Sequence, residues 1–250
     1  MRIFLELEAE KDFVYDSKYY HKVQGFIYNL IKETELNPLH DKKSYKFFCF
    51  SNIFPIGDIK KGDLRKLIIS SPNESFISIL EKKIRELQEK GEKINFGESL
   101  FKIKKISVLK VKIPKKATLI SATPIIIRIP ERNYEKYGID GKIRKKRYLY
   151  WRPEYPFDAF VKQLEENLFK KYNEFYGTKI EEFPIFEQFE FKKSVVSHIV
   201  INGKEYKLVG SVWEFMFSFL GEKEKEILEF GVDCGFGERN SFGFGFMNIL

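Results

Sequence analysis

The chain opens on an alternation. From Met1 to Leu7 the apolar residues Ile3, Leu5 and Leu7 fall on one side, the period-two pattern of a half-buried strand. Beyond Ser17, a candidate helix cap, the period changes. Tyr19, Tyr20, Val23, Phe26, Ile27, Leu30 and Ile31 recur at three- and four-residue spacing, which predicts a helix from Lys18 to about Lys32. A polar loop containing Asn37-Pro38 leads into an aromatic-rich strand over Tyr45–Ile53, and Leu64–Ser70 reads as another strand. A second helix is expected from about Pro72 to Lys90, with Phe76, Ile77, Leu80, Ile84 and Leu87 on its apolar face. Proline at its start and Gly91 just past its end are the expected asymmetry of helix termini. Alternation returns over residues 100–113. Strand, helix, strand, strand, helix, strand is the ferredoxin-like order.

The same order then recurs without any repeat of sequence. Thr118–Ile129 reads as strand, a basic excursion covers about 130–153, and Phe157–Tyr172 is a helix with Phe160, Val161, Leu164, Leu168 and Phe169 inward. Glu187–Ile201 and Glu205–Phe217 flank Asn202-Gly203, the strongest short hairpin signal. A helix over Glu222–Phe230 is closed by Gly231, and a last strand lies near Phe242–Ile249. The expected fold is therefore α+β: two tandem ferredoxin-like (RRM-like βαββαβ) domains, 1–115 and 118–250, with a C-terminal glycine-rich loop. The join falls near Pro114–Ala117, and 250 residues are enough for both.

Composition narrows the class. Hydrophobic residues at 43% and charged residues at 32% support a sizeable core and exclude wholesale disorder. No apolar run approaches the roughly 18 residues that span a bilayer, and the opening residues lack a signal-peptide layout. A soluble, cytoplasmic protein without a membrane partner is expected. Cys49 and Cys234 form no CxxC pair, and His21, His40 and His198 are too few and too scattered to supplement them. Neither a structural zinc site nor a disulfide is expected, and no metal or cofactor is called for. Cys234 has no histidine near it in sequence to activate it as a nucleophile. The acidic pairs Glu165-Glu166 and Glu181-Glu182 read as solvated faces.

The net charge of +8 is uneven. Residues 1–125 hold 24 Lys and Arg against 16 Asp and Glu, whereas the second half is balanced at 20 each. Seven lysines and no acid lie between Lys102 and Lys116. A second basic run, Lys142, Arg144, Lys145, Lys146 and Arg147, leads directly into Tyr148, Tyr150, Trp151 and Arg152. Cations interleaved with aromatics suit a polyanion with stackable bases, which is nucleic acid.

The sharpest local signal is Gly231-Val-Asp-Cys-Gly235-Phe-Gly237-Glu-Arg239-Asn240-Ser241-Phe-Gly243-Phe-Gly245. It is no P-loop, since no Gly-Lys-Ser/Thr follows. It is no dinucleotide fingerprint, since it feeds a terminal strand rather than a βαβ unit. Dense glycines either let backbone N–H groups approach an anion or merely permit a tight turn. Arg239 at the apex favours phosphate, with Gly235, Gly237, Asn240, Ser241 and Gly243 beside it.

With two ferredoxin-like units and a basic face, this closing GxGxxxxxGxG segment resembles the CRISPR-associated repeat-RNA endoribonucleases, the Cas-six family of the repeat-associated RNA-binding superfamily. Tyr20-His-Lys-Val-Gln-Gly-Phe-Ile-Tyr28-Asn, then Leu39-His40, and Ser121-Ala-Thr123-Pro124-Ile resemble the same family, so the likeness covers essentially the whole chain. The resemblance implies metal-independent cleavage of precursor CRISPR RNA within repeats, leaving a 2′,3′-cyclic phosphate and a 5′-hydroxyl. By position it implies His40 as general acid/base, Lys46 as transition-state cation, and Tyr28 as orienter of the 2′-OH or auxiliary base, with Tyr45 as a substitute. His21 and His198 read as structural or surface residues. CRISPR repeat RNA is the implied partner, with other CRISPR effector subunits as further candidates and a monomer or homodimer as the assembly. The basic run with the glycine loop would hold RNA backbone, and Tyr148, Tyr150 or Trp151 could stack. The alternative is a non-catalytic subunit that caps or scaffolds guide RNA. A general single-strand-binding module lacks support, because no aromatic RNP-type strand signature is present.

Overall fold

In a computed structural model describing residues 1–15, 20–139, 146–201 and 204–250, the opening alternation becomes β1 (Arg2–Ala9). Its Ile3, Leu5 and Leu7 are fully buried. There follow α1 (Tyr20–Ile31), β2 (Cys49–Phe50), β3 (Leu64–Ser70), α2 (Glu74–Glu89), β4 (Lys93–Phe96) and β5 (Ser99–Leu109). The sheet runs β2-β3-β1-β5-β4 and is antiparallel throughout. The strands β2-β3-β1-β5 keep ferredoxin-like order, and β4 adds a fifth strand beyond β5. The proposed cap Ser17 lies outside the described residues. α2 starts two residues later than Pro72, because Asn73 Oδ1 accepts from the Phe76 N–H at 3.0 Å and caps the helix there.

One expectation fails in this half for a local reason, and one strand is added to the expected order. The strand expected over Tyr45–Ile53 shrinks to Cys49–Phe50. Phe47 adopts φ 52°, and the turn sends its ring onto Phe175 and Phe230 of the second half, at centroid distances of 5.1 and 6.3 Å. The strand expected over 100–113 is present as β5, and it is one arm of a hairpin with the unexpected β4. Gly97 at φ 73° turns the chain back after the four residues of β4, too few to carry a sequence pattern of their own.

The second unit comprises β6 (Ala117–Ser121), β7 (Arg128–Pro130), β8 (Tyr148–Tyr150), α3 (Phe157–Tyr176), β9 (Gln188–Ile201), β10 (Lys204–Phe217), α4 (Glu222–Cys234) and β11 (Met247–Ile249). The antiparallel order β11-β6-β10-β9 matches β5-β1-β3-β2 of the first sheet. The predicted strand 118–129 breaks after Ser121, and its far end pairs with β8 instead. Gly231 does not close α4. The helix continues to Cys234, and Gly231 is buried where a Cβ would lie 2.6 Å from Phe236 and 2.8 Å from Leu168. Asn202 and Gly203 lie outside the described residues.

The halves share buried contacts. Arg2 donates to the Val232 and Met247 carbonyls at 3.3 and 2.5 Å and lies over the Phe246 ring. Burial holds its pKa down at about 10. Gly243, at φ 85°, sits where a Cβ would be 2.5 Å from Phe50 and 2.7 Å from Tyr20, so glycine alone lets the loop meet the first unit. Among the described residues, no helix is long and apolar enough to cross a membrane.

Candidate functional site

The helical period of α1 directs Val23, Ile27 and Ile31 into the core and leaves Tyr28 half-buried at the edge. The following loop folds back over that edge through a single 3-10 turn, Asn37–Leu39, and delivers His40. The His40 ring stands edge-on to Tyr28, with centroids 4.8 Å apart. Lys46 closes the group: its Nζ donates to Tyr28 Oη at 2.8 Å and to the His40 carbonyl at 2.6 Å. An ammonium has three donors, so one remains for a ligand. His40 is largely exposed and its Nδ1 lies 2.7 Å from Asp41 Oδ1, leaving Nε2 for a substrate. Tyr28, His40 and Lys46 are therefore neighbours in space.

Burial shifts the pKa of two of them. It pushes the Tyr28 hydroxyl up to about 12, against smaller opposing hydrogen bonds with Ser241 and Gln24. At neutral pH Tyr28 is a neutral hydroxyl, suited to orient a group and unsuited to take its proton. Burial lowers the Lys46 pKa, with Asp41 opposing. Tyr45 lies beside the group, and burial foremost raises its pKa too.

Ser241 brings the second unit to this site. Gln24 Nε2 donates to the Ser241 carbonyl at 2.8 Å and to its Oγ at 3.4 Å. Between segment 42–48 and loop residues 237–242 lies a cleft of about 570 Å³, also lined by Arg128, Lys171 and Cys234. The glycines of the loop serve close packing, within the loop and against neighbouring elements. A Cβ on Gly237 would come within 2.6 Å of the Ile126 carbonyl, and one on Gly235 within 2.6 Å of Asn240. The Asn240 side chain is committed as well: Nδ2 donates to the Phe236 and Phe244 carbonyls, and Oδ1 accepts from Lys171. The loop's outward resources are different ones. Arg239 is exposed at φ 60°, a strained conformation for a side-chain-bearing residue and one associated with functional sites. Among the described residues, the N–H groups of Arg239, Asn240 and Ser241 have no partner.

Of the basic run, Lys142, Arg144 and Lys145 lie outside the described residues. Lys146, Arg147, Tyr148, Tyr150 and Arg152 line a second hollow of about 600 Å³. Lys146, Arg147 and Arg152 are exposed. Tyr148 is 38% exposed and packs over Arg128 at 4.6 Å. Trp151 cannot stack on a ligand: it is 2% exposed, packs against Trp213 and Phe160, and donates from Nε1 to the Pro156 carbonyl. Glu165 is not on a solvated face either. It is buried and accepts from the Ile185 N–H at 2.9 Å.

Sequence reasoning missed Lys171. Its ammonium is 1% exposed and donates to the Gly235 and Gly237 carbonyls at 2.5 and 3.1 Å and to Asn240 Oδ1 at 3.1 Å. The signal was present, since Lys171 falls three and seven residues after Leu168 and Leu164 on the buried stripe of α3.

Residues 107–249 match the family model described as CRISPR associated protein Cas6, C-terminal. The chain is 32% identical to the CRISPR-associated endoribonuclease Cas6 2 of Methanocaldococcus jannaschii, with 100% of both chains covered. It is 29% identical to the CRISPR-associated endoribonuclease Cas6 of Haloferax mediterranei, covering 100% of this chain and 94% of that one. A solved structure titled CRISPR associated protein Cas6 superposes with TM-score 0.70 at 25% identity, covering 100% of this chain and 99% of the other.

Proposed function

The chain belongs to the Cas6 family of CRISPR-associated proteins, and from that premise we propose that it is a metal-independent endoribonuclease acting on CRISPR repeat RNA. RNA carries its own nucleophile. In this reading the 2′-oxygen beside the scissile phosphate attacks phosphorus, the O2′–P bond forms and the P–O5′ bond breaks. The products are a 2′,3′-cyclic phosphate and a 5′-hydroxyl. The step needs a proton taken from the 2′-OH, a proton given to the 5′-oxygen, and positive charge on the phosphorane between.

The observation that carries the reading is the grouping of Tyr28 and His40 with Lys46, which lines the cleft. Lys46 has an ammonium donor to spare for the equatorial oxygens. His40 is the acid–base group. Tyr28, neutral up to about 12, orients the 2′-OH. Arg239 and the N–H groups of residues 239–241 would hold backbone phosphate, with Lys146, Arg147 and Arg152 tracking the strand and Tyr148 offering a stacking face. The relatives' endoribonuclease names support the activity class. A non-catalytic scaffold would share the fold and the loop, but would not need the three side chains grouped.

The test is His40→Ala against wild type, under single-turnover conditions in EDTA, on the repeat RNA of the associated CRISPR array. Loss of about 10²–10⁴ in rate, with RNA affinity within a few-fold, is expected. Cleavage at the wild-type rate removes His40 from the mechanism, and a wild-type chain that binds but never cuts establishes the scaffold.

A further inference from the structure

We propose that Lys171, outside the reacting group, is a positioning residue whose buried charge holds the loop apex open as an anion-binding concavity, an inference resting on the RNA role of that loop. Lys171 rises from α3 into the underside of the loop, where it donates to the Gly235 and Gly237 carbonyls and Asn240 Oδ1 and also meets the Cys234 thiol at the end of α4. The N–H groups of the same two peptides, on Phe236 and Glu238, donate to the Gly245 and Ile126 carbonyls, so both peptides are pinned at each end and the apex beyond them is held in place. Asn240 completes the brace by donating to the Phe236 and Phe244 carbonyls, which close the loop's two arms. Above the brace, left-handed Arg239 runs into the 3-10 turn Asn240–Phe242. Such a backbone sequence gathers consecutive N–H groups into a nest for an anion, and those of residues 239–241 have no partner among the described residues.

The charge matters as well as the geometry. A buried ammonium ordinarily has a carboxylate partner. Lys171 makes no ion pair among the described residues, and its hydrogen-bond partners are three neutral oxygens and the Cys234 thiol. Burial accordingly lowers its pKa. Glu238 acts on this cation from a distance and is itself paired with Arg128, so the Lys171 charge, without a direct carboxylate contact, contributes positive potential to the cleft it lines. An apolar residue of the same length would fill the space without supplying either the brace or the field.

A double-mutant cycle separates this from a merely structural role. Binding of non-cleavable repeat RNA, 2′-deoxy at the scissile nucleotide, is measured for wild type, Lys171→Met, Arg239→Ala and the pair, well below each melting temperature. Lys171→Met is expected to weaken binding by roughly tenfold or more, and Arg239→Ala to cost much less in the Lys171→Met background than in wild type. The salt slope, which a purely structural role would not move, should fall in both single variants. If Lys171→Met does not fold, Asn240→Ala, which cuts the link to the apex, takes its place with the same expectation. Wild-type affinity in the folded variant, or an Arg239→Ala effect of equal size in both backgrounds, overturns the proposal. Arg239→Ala without effect even in wild type takes the loop itself out of RNA binding, and the role of Lys171 with it.

Discussion

Replacing Lys46 by methionine keeps the length of the side chain and its packing over the Tyr28 ring, where Nζ now lies 4.8 Å from the centroid, while removing the charge. Two of three ammonium donors are engaged, at 2.8 Å to Tyr28 Oη and 2.6 Å to the His40 carbonyl. These contacts fix the third donor at the mouth of the cleft, where phosphorane charge would develop. Loss of one preorganised donor to a developing oxyanion typically costs about 10²–10³ in rate, or about 2.7–4 kcal/mol. The ground state loses less. One phosphate contact fewer lowers the slope of log affinity against log salt by about 0.7 on single-stranded RNA. The assay is single-turnover cleavage of end-labelled repeat RNA at saturating enzyme, with affinity measured separately. A rate at least a hundredfold down with affinity nearly kept is the expected pattern. Lys46→Arg should recover only part of it, because a planar guanidinium does not place its donors as the ammonium does. Cleavage by Lys46→Met within threefold of wild type would refute the assignment.

Two further outcomes follow from the geometry. The Tyr28 hydroxyl is held at about 12 against an ordinary value of 10, so the folded chain keeps this proton after the unfolded chain has lost it. The resulting stability is complete below about pH 10 and is lost as pH rises towards 12. Tyr28→Phe should therefore flatten the alkaline fall in stability by on the order of one proton, and an unchanged slope in urea melts across that window would contradict it. Gly243→Ala should destabilise the chain without RNA present. Left-handed strain of about 1–3 kcal/mol adds to overpacking of similar size against Phe50 and Tyr20, and an unshifted melting temperature would count against this contact between the halves.

What the sequence displayed was periodicity and local spacing. β1, β3 and α2 announce themselves because one face of each is buried against a single core, so burial and residue type repeat in step. Tyr28, His40 and Lys46 lie within one helix–loop connection, and their proximity in space follows from proximity in the chain. The failures share a cause in contacts between residues far apart in the sequence, some within a half and some across the two. Phe47 leaves its expected strand to pack against residues more than a hundred positions away. Trp151 looks like a stacking residue beside a basic run, and is claimed by the core of α3 and β10. Gly237 and Gly243 look like openings for an anion, yet the space beside them is filled by Ile126 and by Phe50 with Tyr20. Lys171 and Glu165 sit on an apolar stripe whose polar partners, Gly235, Gly237, Asn240 and Ile185, cannot be paired with them before the fold is known.

The central claim is that the RNA's own 2′-oxygen is the nucleophile and that protein side chains alone supply the proton transfers and the charge. It is tested most directly by one substrate pair in EDTA: repeat RNA, and the same RNA with a single 2′-deoxy nucleotide 5′ of the scissile phosphate. The account predicts that both bind alike, that only the all-ribose RNA is cut, and that its 5′ fragment ends in a 2′,3′-cyclic phosphate. Cleavage of the deoxy substrate, or a 3′-hydroxyl on that fragment, would make water the nucleophile and contradict the account.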